Sequence, residues 1–305
     1  FVTVHHFAVD GFSWPVLWDD LELAYRQVAA GDDVSLPPRT TSIRDWAVQL
    51  EQLVETPRIA GVAEDWLRLP WSEIAPLPAD LDADARSNTY DSTEIVEIDL
   101  GADDTRRLLA SPARPQRVVI AALAHCLSGW TSSPTVLMDI LSHGRDAALD
   151  GANLSRTVGF TVSYNPLVLT HPTWDGEPET LRSVVAQVDG HPEGFGFELL
   201  RFMSPDRALR DRLTGLPRAE VLFHYDGTGV APRDDRLWSP ASEARGPDDS
   251  PRGLRQYPLS FRASLEPNLR LTLAYSSKLH ERATAEAKVA EIASTIASLL
   301  RESRA

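Results

Sequence analysis

Two adjacent histidines, His5 and His6, are followed by Asp10 four residues after the second, and then by Gly11. An imidazole titrates near neutrality, so a positioned histidine can take a proton from an attacking amine, a hydroxyl or an acidic Cα–H. An aspartate just past it is suited to holding the loop by charge and hydrogen bonds. The same pattern also describes a plain polar loop at a strand end. Residues 1–4 are apolar and β-branched, which predicts a buried strand end. Gly11 allows a positive φ or a close backbone approach. Ser13 can cap a following helix, and Pro15 suits its first turn.

The elements that would position this loop are readable in order. A helix is predicted over 17–30, closed by Gly31. Thr41 or Ser42 can cap a second helix bearing Ile43, Trp46, Ala47, Leu50, Leu53 and Val54 at helical spacing. Residues 76–92 form a polar linker, and Val96, Ile98 and Leu100 alternate as a strand. A short helix starts at Asp103 or Asp104, and a longer one is predicted over about 116–130 with Cys126 on its apolar side. Residues 136–141 read as a buried strand, followed by the polar turn Ser142, His143, Gly144, Arg145 and Asp146. Residues 221–225 and 269–275 read as strands, 230–255 as a loop, and a final helix carries Val289, Ile292, Ile296 and Leu299 on one face.

Composition narrows the function classes. A chain of 305 residues with 43% hydrophobic content supports one large domain or two lobes. No apolar run reaches membrane-spanning length, and no signal peptide or lipidation motif is present. The single cysteine excludes an intrachain disulfide framework and fits a cytoplasmic enzyme. A net charge of −14 argues against nucleic acid as a partner. No metal-ligand spacing occurs: His5 and His6 are adjacent, and no further His or Cys lies at ligand distance. The GxG at Gly194 to Gly196 follows no strand and opens no dinucleotide-binding pattern, so a nucleotide reading is rejected.

HHFAVDG resembles the HHxxxDG signature of the condensation and epimerization domains of nonribosomal peptide synthetases, members of the chloramphenicol-acetyltransferase-like superfamily. The block from Val9 to Leu53 resembles the corresponding block of epimerization domains. So does the strand followed by His143-Gly144-Arg145, whose family form is L-E-G-H-G-R-E. Here the family's glutamate position holds Leu141. LSRTVGFTVSYNP (154–166) resembles a third motif, with Phe160 for tryptophan and Asn165 for tyrosine. HPEGFGF fits PxxGxGY, with Phe197 for tyrosine. VLFHY resembles FNYLG, with His224 for asparagine and Asp226-Gly227 for Leu-Gly.

The resemblance implies an α/β, two-lobed sandwich with a tunnel between the lobes. Residues 1–91 would be the remainder of an N-terminal lobe carrying the HHxxxDG loop, and 92–305 the C-terminal lobe. A segment on the order of a hundred residues precedes the motif in the family, so this chain is expected to lack part of its first lobe and to be inactive by itself. The resemblance makes His6 the catalytic residue, and His5, Asp10, Gly11 and Arg145 structural. Ser13, Leu141, His143, Ser163, Tyr164, Asn165 and His224 are candidates for the substrate tunnel, each with a plain strand or turn alternative. No cofactor is expected on the domain itself. The substrate would arrive on the 4'-phosphopantetheine arm of a peptidyl or acyl carrier protein. Three functions follow: condensation-type acyl transfer, favoured by the loss of the glutamate; epimerization of a carrier-bound thioester; and non-catalytic docking.

Overall fold

The described strands form one mixed sheet. β1 (Thr93–Asp99), β2 (Thr135–Ser142), β3 (Ser163–Thr170), β4 (Val221–Gly227), β5 (Leu259–Leu265) and β6 (Leu269–Ser276) lie in the order β1-β6-β5-β4-β2-β3. β4 runs parallel to both its neighbours, β2 and β5, and the other pairs are antiparallel. This is a computed structural model that describes residues 2–145, 151–170, 178–192, 194–227, 237, 241, 243, 244 and 246–302.

Alternation along the strands builds two apolar layers. Val136 and Met138 of β2, Val221 and Phe223 of β4, and Leu271 and Leu273 of β6 face α5 (Pro115–Thr131) and α9 (Arg282–Glu302) in the main core. The opposite parity, Leu137 of β2 and Val168 of β3, joins a second cluster with Ile59, Trp66 and Phe197. That cluster gathers α2 (Ile43–Val54), α3 (Pro57–Arg68) and α7 (Gly194–Met203) over the β2–β3 side of the sheet. Each fully buried side chain of this size contributes about 1.5–3 kcal/mol. Among the described residues the remaining α-helices are α1 (Ser13–Ala30), α4 (Gly101–Ala110), α6 (Pro178–Gly190) and α8 (Arg207–Thr214).

Several sequence expectations hold. Gly31 closes α1 with φ +82°, and the Ser42 hydroxyl accepts from the Asp45 N–H to cap α2. Trp46, Leu53 and Val54 are buried on α2, whereas Ile43 and Ala47 are exposed. Cys126 is buried, and burial pushes its thiol up to about 12.

Other expectations are corrected. Residues 2–4 form no strand and are exposed, because no described strand offers them a ladder. α1 starts at Ser13 with Phe12 at the cap position, and Ser13 spends its hydroxyl elsewhere. Gly11 has no positive φ, and a Cβ there would meet nothing within 4 Å. The glycine-bearing 194–197 motif lies inside α7, an element the sequence did not predict. α3, α6, α7, α8 and β5 have no counterpart among the elements read from the sequence. Part of the expected 230–255 loop, together with Asp146 and Glu193, lies outside the described residues.

Candidate active site

The HHxxxDG loop is fixed by its aspartate. Asp10 is 1% exposed, and its carboxylate is saturated. Oδ1 accepts from the Ser13 N–H and hydroxyl, each at 2.8 Å, and from Arg145 Nη2 at 2.7 Å. Oδ2 accepts from Arg145 Nη2 at 2.8 Å and from the Thr161 hydroxyl at 2.9 Å. Burial alone would push this carboxyl up. The hydrogen bonds from Arg145, Ser13 and Thr161, with the Arg145 charge, instead hold it below the usual carboxylate range.

Arg145 completes a wider clasp. Its Nη1 donates at 2.8 Å to the carbonyls of Leu154 and Thr157, and its guanidinium lies 5.6 Å from the Phe12 ring centroid. The Ser13 hydroxyl meets the Gly159 backbone, accepting from its N–H and reaching its carbonyl at 3.1 Å. Gly159 therefore does make a close approach, to Ser13 and to Ile43, whose side chain a Cβ would meet at 2.8 Å. Gly144 sits at φ +68°, with Thr161 O 1.8 Å from where its Cβ would be, so only glycine fits.

His6 stands on this platform. Its Nδ1 is 2.7 Å from the Val9 carbonyl. A carbonyl only accepts, so Nδ1 carries the proton, and the lone pair of the neutral ring falls on Nε2. The ring packs edge-on against Phe160 at 5.2 Å between centroids. His5 instead turns its Nδ1 to its own loop, accepting from the Phe7 N–H at 3.2 Å. The two histidines thus differ: one is oriented by a carbonyl, the other caps a turn. His143 accepts from the Arg145 N–H through Nδ1 at 3.1 Å and packs on Phe12 at 4.6 Å.

The tunnel candidates divide between the two faces of the sheet. Leu141 lies opposite Tyr164, and Ser142 opposite Ser163. Leu141 therefore shares a face with Tyr164, Asp139 and Leu137, while Ser163 and Asn165 point the other way. The Ser163 hydroxyl and Asn165 Oδ1 are buried and find no hydrogen-bond partner among the described residues. The Asn165 side chain packs against Gly194, where a Cβ would come within 2.4 Å. His224 on β4 is half-exposed, with Nε2 3.2 Å from Asp226 Oδ1.

The structure adds a cluster that the motifs do not mark. Tyr257 donates its hydroxyl to Asp139 Oδ2 at 2.6 Å and stacks on Tyr164 at 6.2 Å. Burial pushes the Asp139 carboxyl up, against the hydrogen bond from Tyr257 and the charge of Arg201. Glu198 of α7 rises to about 7, through burial first and the neighbouring Asp139 after it, although the Tyr164 backbone donates to it. The signal in the sequence was Asp139 itself, an acid inside the apolar run TVLMDIL. Among the described residues no group of three or more His, Cys, Asp or Glu could hold a metal ion, and no helix is long and apolar enough to cross a membrane.

A mixed sheet with helices packed on it and a histidine loop pinned beside β2 make this an α/β protein with the fold of condensation-domain structures. The condensation-domain model matches residues 1–304, and the chain belongs to that family. It is 35% identical over 293 residues to a linear gramicidin synthase of Brevibacillus parabrevis, covering 93% of this chain and 4% of that one. It is 32% identical over 301 residues to chondramide synthase of Chondromyces crocatus, covering 96% of this chain and 8% of that one. The chain thus spans a small part of the length of these relatives. Its fold superposes on the epimerization domain from the third module of tyrocidine synthetase B with a TM-score of 0.84, at 23% identity, covering 98% of this chain and 68% of that one. The condensation domain of the monacolin K polyketide synthase follows at 0.69 and 18% identity, over 98% and 68%.

Proposed function

We propose that this chain carries the proton-transfer site of a condensation-type acyl transfer, in which a carrier-bound acyl or aminoacyl thioester is passed to an amine or alcohol. The reading is carried by the orientation of His6, taken together with a leucine at position 141. His6 has its lone pair directed to Nε2 by the Val9 carbonyl, as a general base requires. A leucine at the motif glutamate position can neither bind nor release a proton, so the site lacks the carboxylate that epimerization-type chemistry would use there.

His6 would take the proton of the nucleophile as it attacks the thioester carbonyl, and nearby amide or hydroxyl dipoles would stabilise the oxyanion. His5, Asp10 and Arg145 act on the loop rather than on the substrate. The thioester would be delivered by a carrier protein on its phosphopantetheine arm, a reading supported by the condensation-domain match and by the likeness to a linear gramicidin synthase subunit and a chondramide synthase. The lobe division at 91/92 belongs to the same proposal.

Epimerization is the second reading, supported by the likeness of the 9–53, 154–166 and 192–201 blocks to epimerization domains. The test is His6→Ala in the intact polypeptide that contains this chain, assayed with an aminoacyl carrier protein and an acceptor. Acyl transfer should fall by about 10²- to 10⁴-fold while carrier binding persists. Unchanged turnover would reject His6 as the base. A racemised thioester formed without acceptor would transfer the reading to epimerization.

A further inference from the structure

We infer that His224, oriented by Asp226, is a second proton-transfer residue of the His6 site. The inference rests on the acyl-transfer reading and adds a residue to it. β2 and β4 are neighbouring parallel strands, with Asp139 beside Leu222 and Ile140 beside Phe223. Leu141 and His224 are the next residues along both strands, each one past the last registered pair. Ile140 and Phe223 point into the main core, so Leu141 and His224 share the opposite face. The residue that lacks a proton-carrying group therefore shares that face with a titratable one. By the motif resemblance, the chain has leucine for glutamate at the first of these positions and histidine for asparagine at the second.

The neighbours of His224 are those of a base rather than of a core histidine. Its side chain is 39% exposed, and Asp226 Oδ1 lies 3.2 Å from Nε2. A carboxylate there favours the proton on Nε2 and leaves the lone pair on Nδ1. Asp226 reaches this position through a β-bulge: Tyr225 and Gly227 pair with successive residues Ala263 and Ser264, and Asp226 is the extra residue between them. Arg262, the register partner of His224, holds Asp226 from the other side by an ion pair. Burial lowers the affinity of the ring for a proton, Asp226 raises it and Arg262 lowers it, with a net downward shift. A neutral ring at neutral pH is the form that accepts a proton. The HHxxxDG loop is anchored by Arg145, just past the end of β2, and by Thr161, just before the antiparallel β3, and His224 lies towards the C-terminal half of the parallel β4.

The chemistry leaves a proton for this residue. An ammonium acceptor reacts as R–NH₃⁺ + R′CO–SR″ → R′CO–NHR + HS–R″ + H⁺. The C–S bond breaks, the C–N bond forms, and nitrogen gives up two protons. One protonates the departing thiolate and the other leaves for solvent. His224 takes the first proton, freeing the amine lone pair. His6 takes the second during attack and returns it to sulfur.

The test uses the intact polypeptide with an aminoacyl carrier protein and an amine acceptor, comparing the parent with His224→Asn, Leu141→Glu/His224→Asn and His6→Ala. We expect His224→Asn to lower kcat by about tenfold or more with KM for the carrier and thermal stability unchanged. Leu141→Glu in that background should recover part of the loss, since it returns a carboxylate to the adjacent strand. Turnover of His224→Asn within about twofold of the parent, or no recovery in the double variant, would overturn the inference. Loss in His6→Ala beside full activity in His224→Asn would reject His224 alone. An unaffected His6→Ala would instead reject the reading on which it rests.

Discussion

At the scale of single residues, the decisive pair is Asp10 and Arg145. The Arg145 and Asp10 side chains are 8% and 0% exposed and lie 2.7 Å apart. Removing one partner of such a pair leaves an uncompensated buried charge. Arg145→Ala should therefore lower the unfolding free energy by about 3–5 kcal/mol, read by urea titration, and should loosen His6 with the rest of the loop. A loss under about 1 kcal/mol would mean that the loop does not depend on the pair. Gly144→Ala should be comparably damaging, because the backbone of Thr161 cannot yield the space and Thr161 itself holds Asp10. The individual motif residues were legible in the sequence because they are contiguous. Their pairing was not: Asp10 and Arg145 are separated by 135 positions, and nothing in either segment names the other. Ser13 illustrates the same limit. Locally it is a cap residue, but its hydroxyl goes to Asp10 and to Gly159, 146 positions away.

At the scale of elements, α7 carries a charge that its setting disfavours. Glu198 is held protonated up to about 7, so between about 4.5 and about 7 the folded chain keeps a proton that the unfolded chain has released. Stability should then fall as pH rises through that window, by about 1–3 kcal/mol. Glu198→Gln should flatten the slope. A parent protein equally stable at about pH 5 and about pH 8 would contradict the assignment. Strongly periodic elements such as α5, α9 and β6 could be read from the sequence. α3 carries Ile59, Ala63 and Trp66 at helical spacing but lies between a helix and an aromatic, proline-bearing stretch that masked it. The 194–197 stretch is glycine-rich by composition and helical by packing, since Phe197 and Leu200 are drawn into the cluster with Trp66. Tertiary burial there overrides the weak helix propensity of glycine.

At the scale of the molecule, a mixed six-stranded sheet presents the ends of β2 and β4 beside one anchored loop. Sheet order and the parallel pairs put Leu141 and His224 each one residue past the registered pair Ile140 and Phe223, and alternation within single strands could not reveal that. The α1 surface shows the opposite relation. Leu21, Tyr25 and Val28 form an exposed apolar stripe at helical spacing, and Phe7 is 82% exposed nearby in sequence. Exposed apolar patches bind hydrophobic dyes and promote association. Leu21→Glu/Val28→Glu should therefore reduce dye binding by residues 1–305 and leave their thermal midpoint unchanged. A lowered midpoint would mean that the stripe supports the fold.

The most direct measurement of the central claim is mass spectrometry of the intact polypeptide with an aminoacyl carrier protein in deuterated buffer, with and without an acceptor. The expected result is a new acyl product that requires the acceptor, disappears in His6→Ala, and is accompanied by no deuterium at Cα. Deuterium at Cα of the carrier-bound thioester in the absence of acceptor would contradict acyl transfer and establish proton abstraction from carbon as the reaction of this site.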